Sequence, residues 1–274
     1  MRRALFLLVL PLLVPLAAAA KGPGAGASPG PAAVTGWNYG VLAPARDARY
    51  IALRRGADTT VARVAPNAHR VIRSRVLHGR FGVPVVSLDG TTGGVSADGA
   101  TLVLSSLAYG RTTRFAVLST STLALRRLVT LPGEFSYDAI ALDGQTIYLI
   151  QYGDATYRVR AYDVALGALV PGTIVAKGES GPMEGFAVAR AEPRAGGWAY
   201  TLYGRANGAP FVHALETTHR YAVCIDLPWR VERATAEQLR LSLEGSSLVV
   251  LRPGVGRVAV IDTRSFKVRS IRTP

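Results

Sequence analysis

Along most of the chain, apolar and polar residues alternate in short runs, and the runs come in pairs that meet at an acidic residue followed by glycine. The clearest pair is Gly94-Val-Ser-Ala-Asp98-Gly99-Ala-Thr101-Leu-Val-Leu104. Ala139-Ile-Ala-Leu-Asp143-Gly144-Gln-Thr146-Ile-Tyr-Leu149 repeats it, and Leu241-Ser-Leu-Glu244-Gly245-Ser-Ser247-Leu-Val-Val-Leu251 repeats it with Glu in place of Asp. Between these, Gly185-Phe-Ala-Val188 and Gly197-Trp-Ala-Tyr-Thr-Leu202 carry the two apolar runs across a longer turn containing Pro193 and Arg194. A period of two residues marks a strand. An acidic residue before glycine marks a tight corner, because glycine adopts the positive φ that such a corner requires. The pattern predicts a series of β-hairpins.

Each hairpin is followed by a second pair of runs. Tyr109-Gly110 precedes residues 115–118 and 128–131, Tyr152-Gly153 precedes 157–162 and 172–175, and Tyr203-Gly204 precedes 211–215 and 221–227. Pro253-Gly254 leads into 257–262 and 267–271, and the less regular start of the chain supplies four runs of its own at 39–42, 50–53, 59–64 and 70–77. The corner glycines Gly99, Gly144, Gly197 and Gly245 lie about 45, 53 and 48 residues apart, near the length of one propeller blade. The predicted fold is all-β, a single β-propeller of five four-stranded blades, stacked into a closed ring because a lone blade cannot cover both of its faces. A β-sandwich would also alternate, but it gives no reason for a corner to recur at a nearly fixed interval. The best helical candidate, residues 232–243, has charged residues in its middle and a strand-like end.

The units resemble the YVTN and WD40-like β-propeller repeats of exported bacterial proteins, whose blades carry a Ser-x-Asp-Gly turn followed by a short apolar strand. Ser96-Ala-Asp98-Gly99-Ala-Thr-Leu-Val-Leu104 is the best match, and Val258-Ala-Val-Ile-Asp262-Thr-Arg-Ser-Phe-Lys267-Val resembles the hairpin between the third and fourth strands of those repeats. The motif that gives YVTN its name is absent. The resemblance implies a propeller. It implies no single activity, because such propellers include binding scaffolds, lactone hydrolases and other enzymes.

The start of the chain fits export. Met1-Arg-Arg is followed by an apolar stretch and then by the small-residue run 17–20, the layout of a signal peptide over residues 1–20. Pro11 and Pro15 interrupt the stretch, which disfavours a retained membrane helix. Residues 21–31 are mostly Gly, Pro, Ala and Ser and read as a flexible spacer, leaving 32–274 as one propeller domain. The expected location is secreted or extracytoplasmic, in the cell envelope.

The formal charge of +14 calls for an anionic partner to be considered. The arginines are dispersed rather than massed in an arm, which argues against nucleic acid. The single Cys224 lies in an apolar run and reads as a core position. The four histidines, His69, His78, His213 and His219, form no metal-ligand motif, and a surface or strand-edge role is expected for the pair His213 and His219. No serine stands in a nucleophile-elbow context. No cofactor is expected.

Carboxylates are the remaining candidates. Asp98, Asp143 and Glu244 occupy hairpin corners and read as turn residues. Asp138 and Glu184 each precede an apolar run taken as the inner strand of a blade, and they match when Ala139-Ile140 is aligned with Gly185-Phe186. That alignment predicts two carboxylates at one mouth of the central channel, with Tyr137 beside them and Gln238 and Arg240 in the corresponding neighbourhood of the fifth blade. Glu134, Glu179 and Trp37 are further candidates. The expected function is that of a non-enzymatic scaffold binding a protein or an anionic cell-envelope polymer through a loop face or the channel mouth. The alternative is a hydrolase, lactonase-like or glycosidase, acting through Asp138 and Glu184.

Overall fold

A computed structural model describes residues 32–274 apart from 67–69, 154–155 and 175–182. The expected signal peptide and spacer, and Glu179, lie outside the described residues. The chain forms a β-propeller of five antiparallel sheets, each with four strands in sequence order except for one small insertion. The first blade comprises Val41–Leu42, Arg49–Arg55, Asp58–Val64 and Val71–Leu77. The second comprises Phe81–Pro84, Thr101–Ser106, Thr112–Ser119 and Leu125–Pro132, and Ala33–Val34 adds a fifth strand at its inner edge. The third comprises Phe135–Ile140, Thr146–Tyr152, Tyr157–Asp163 and Ala168–Leu169. The fourth comprises Phe186–Ala191, Trp198–Gly204, Phe211–Glu216 and Tyr221–Asp226. The fifth comprises Arg240–Glu244, Ser247–Arg252, Gly256–Asp262 and Val268–Ser270. The helical candidate reduces to one turn, Arg233–Ala236.

Alternation gives each blade two apolar faces, and the facing sides of successive blades are buried against each other. One cluster joins Tyr50, Ala52 and Val61 of the first blade to Phe81, Leu102 and Leu104 of the second. A second joins Val103, Phe115 and Val117 to Phe135, Ile147 and Leu149. A third joins Tyr148, Tyr157 and Val159 to Tyr203, Phe211 and Leu215, and a fourth joins Tyr200, Leu202 and Val212 to Leu248, Val250 and Ile261. Odd and even residues of one strand thus face different neighbours, as a period of two demands. Ile51 and Val249, on the two faces left over from these four junctions, are also buried.

The acidic corners behave as the sequence predicts. Gly99, Gly144 and Gly245 all have positive φ, at 72°, 70° and 59°. Asp98 accepts from the Ser96 hydroxyl and from the Ala100 amide at 2.9 Å, and Asp143 accepts from the Gln145 amide at 3.0 Å. Glu244 differs, accepting from Arg257 across the sheet at 2.8 Å. Asp98→Ala is expected to cost about 1 kcal/mol, measured as a shift in denaturant midpoint at constant slope.

The second blade departs from the regular pattern. Its inner strand is split: Phe81 and Gly82 pair with Ser106 and Ser105, while Val95 pairs with Leu102. Residues 85–93 leave the sheet as a hairpin of their own. Val85 is bridged to Thr92, the Val86 amide donates to the Thr91 carbonyl at 2.9 Å, and the Gly93 amide donates to Pro84 at 3.1 Å. The hairpin reaches across the propeller axis. At its tip the Leu88 and Asp89 amides donate to the carbonyls of Ala187 and Val188 in the fourth blade, at 2.9 and 3.1 Å. Thr92 donates to Gly40 O of the first blade at 2.8 Å. A Cβ on Gly93 would lie 2.8 Å from the ring of Tyr137 in the third blade. The hairpin touches three other blades and plugs the centre.

Candidate functional site

The inner strands of the third and fourth blades carry the same irregularity. In Phe135–Ile140 the register slips between Tyr137 and Ala139, and in Phe186–Ala191 between Ala187 and Ala189. A bulge leaves one residue out of the ladder and re-aims its side chain. In the third blade that residue is Asp138, and in the fourth it is Val188. The fourth-blade bulge also presents the two carbonyls that receive the hairpin tip.

This register corrects the alignment of Asp138 with Glu184. Asp138 lies within its strand, because the strand begins upstream at Phe135, where the apolar run starts before the one centred on Ala139. The partner of Glu184 in the third blade is Glu134, one residue before Phe135, and both glutamates are exposed. Asp138 is 3% exposed. Gln238 and Arg240 lie apart from it beside the single helical turn, where Arg252 Nε donates to Gln238 Oε1 at 3.4 Å and Arg240 donates to the carbonyls of Glu237 and Leu239. Of the five candidates, the structure brings together only Tyr137 and Asp138.

The residue that completes the site is Arg190, at the end of the fourth inner strand and 6% exposed. Its NH1 group donates to Asp138 Oδ1 at 2.8 Å and to the Thr201 hydroxyl, its NH2 group to Asp138 O at 2.6 Å, and its Nε to Glu192 at 2.7 Å. Burial pulls the guanidinium pKa down, but the charges of Asp138 and then Glu192 more than offset this and leave it raised. Arg190 is charged, makes four hydrogen bonds, and joins two blades at the axis. Asp138 Oδ2, by contrast, is buried without a hydrogen-bond partner.

His213 is a second correction, since it is buried in the core of the fourth blade rather than at an edge. Its Nδ1 lies 3.7 Å from Cys224 Sγ, and its Nε2 is buried without a partner. Burial drives its pKa down to about 4 against the raising field of Asp138, so the imidazole is neutral at pH 7. His219 is exposed and contacts Glu216. No group of three or more His, Cys, Asp and Glu among the described residues has metal-site geometry.

The plug divides the axis into two cavities at opposite ends of the inner strands. At the corner end lies an open funnel of about 510 Å³, lined by Arg46 and Arg49 of the first blade, the glycine-rich stem of the hairpin, and Glu192, Arg194 and Trp198 of the fourth. Glu192 is already bonded to Arg190, whereas Arg49 Nε is buried with no partner. At the strand-start end lies a smaller cavity of about 40 Å³, lined by Asp138, Ser136, Phe186, the hairpin and five tyrosines. Tyr137 lines both and forms part of the wall between them. Glu184 lines neither.

No known family model matches the chain, and no curated protein matches it. Among solved structures, hydrazine synthase from Kuenenia stuttgartiensis is similar over 89% of this chain and 66% of its own, at 15% identity and a TM-score of 0.50. The β-propeller domain of Cps50 (Swd1) from Myceliophteria thermophila is similar over 81% and 62%, at 14% identity and a TM-score of 0.46. TolB from Acinetobacter baumannii is similar over 83% and 52%, at 11% identity and a TM-score of 0.44. The chain spans about half the length of that TolB. At these identities the likeness is one of fold, and the class defined is a β-propeller.

Proposed function

We propose that the chain is an exported propeller of the YVTN or WD40-like kind that acts by binding, its ligand a protein segment or an anionic cell-envelope polymer held in the corner-side funnel. The observation that carries this is the convergence of Arg46, Arg49 and Arg194, from two non-adjacent blades, on one funnel whose lining carboxylate, Glu192, is already engaged. An unpartnered guanidinium nitrogen in a partly desolvated wall favours an anionic acceptor. Extracytoplasmic placement rests on the leader-like residues 1–20 and the spacer after them.

The hydrolytic alternative needs two carboxylates across a shared void. Asp138 is held by Arg190 in one cavity and Glu184 stands outside both, so this pair is not assembled.

The test is retention of the purified protein on isolated envelope material over a salt series. Wild type is expected to be retained at low salt and released as salt rises. Arg46→Glu/Arg194→Glu is expected to bind at least about tenfold more weakly, ~1.4 kcal/mol. No retention at low salt would refute the polymer; equal retention of wild type and variant would move the site away from the funnel.

A further inference from the structure

We infer that the smaller cavity, at the mouth opposite the arginine funnel, is a binding site for the primary ammonium group of an organic amine. The repeat itself builds it. The Tyr-Gly pairs that follow successive hairpins place Tyr109, Tyr152 and Tyr203, one from each of three consecutive blades, around a single void, and Tyr157 completes the ring. Tyr109 and Tyr152 meet edge to face at 5.7 Å, and Tyr157 and Tyr203 stack at 5.1 Å. The walls are therefore fixed by ring packing.

An unpaired acceptor calls for a donor. Asp138 presents Oδ2, buried and without a hydrogen-bond partner, and lines the void beside Tyr157, whose buried hydroxyl can accept as well as donate. A buried acceptor left unpaired costs on the order of 1–3 kcal/mol, more for a charged one. The nearby guanidinium makes no bond to Oδ2: four of its five N–H donors go to Asp138 Oδ1, Asp138 O, Thr201 and Glu192. A carboxylate oxygen among neutral rings suits a cation. Burial, first of all, holds the phenols of Tyr109, Tyr152, Tyr157 and Tyr203 above their ordinary pKa, so the rings stay neutral. At Tyr203 and His213 the field of Asp138 outweighs that of Arg190.

Size and surroundings narrow the ligand. A void of about 40 Å³ admits roughly three water-sized groups, enough for an ammonium and one or two methylenes. Glu134 and Glu184 stand exposed at equivalent positions where the two inner strands begin, at the same mouth, and would draw cations toward it.

The experiment is calorimetric titration of the purified protein with n-butylammonium chloride, and with n-butanol and tetramethylammonium chloride as comparisons. Butylammonium is expected to bind at least tenfold more tightly than either comparison, and Asp138→Asn, which keeps an acceptor for Arg190 but turns an amide toward the void, is expected to lose at least tenfold. No binding of butylammonium, equal binding of butanol, equal binding of tetramethylammonium, or undiminished binding by folded Asp138→Asn would each overturn the assignment. If Asp138→Asn does not fold, Tyr157→Phe decides. It keeps the ring stack and removes one acceptor, so a several-fold loss supports the site and unchanged affinity refutes it.

Discussion

Arg190→Met is expected to destabilise the protein by about 3–5 kcal/mol, read from urea denaturation midpoints. The reason is what the substitution leaves behind. Asp138 would remain at 3% exposure with neither carboxylate oxygen compensated, and its carbonyl would lose a donor as well. The guanidinium also joins the bulge of the third inner strand to the fourth, so its loss weakens a junction between blades. Asp138→Leu/Arg190→Met is expected to recover much of the loss, because removing both charges removes their desolvation cost together. If the single variant cost less than 1 kcal/mol, the buried pair would not be the tie described here.

Acidification gives the second large effect. His213 is neutral in the folded protein because burial holds its pKa down to about 4, whereas in the unfolded chain it titrates near its ordinary value of about 6.5. Between those values the unfolded chain takes up a proton that the folded one refuses. Its contribution is therefore present above about pH 6.5 and is lost as pH falls toward 4, by up to roughly 3 kcal/mol. His213→Leu cannot take up that proton and is expected to flatten the decline over this window. Parallel pH profiles for wild type and variant would show that His213 is not the group responsible.

What the sequence made legible follows from periodicity. Five units and four of their corners, three of them acidic-Gly, could be located because a two-residue alternation and a glycine turn are local signals. The shared faces then followed, Leu102 and Leu104 looking one way and Val103 the other. Bulges are not local signals. Asp138 could be singled out as an acid beside an inner strand, but whether it lay before or inside that strand depends on a slip against Leu149 and Tyr148 that only the pairing reveals. Arg190 is not marked by the pattern, because it falls in the Pro- and Arg-containing stretch between the apolar run ending at Val188 and the one starting after Gly197, which reads as a turn. The plug was legible in principle. Leu88-Asp89-Gly90 is another acidic-Gly corner, with Asp89 accepting from Ser87, the Thr91 amide and the Thr91 hydroxyl, yet it falls outside the regular spacing. The tyrosines of the small cavity were visible as a repeat, and their convergence was not, since it depends on how three blades are stacked.

The separation of the two mouths depends on that hairpin lying across the axis, bonded to the fourth blade. Amide hydrogen exchange, resolved at Leu88 and Asp89, addresses it directly. Both amides donate to carbonyls of the fourth inner strand and are expected to be protected to the level of the strands around them. Exchange at the rate of an open loop would show that the hairpin does not close the channel, and the two cavities would then be one.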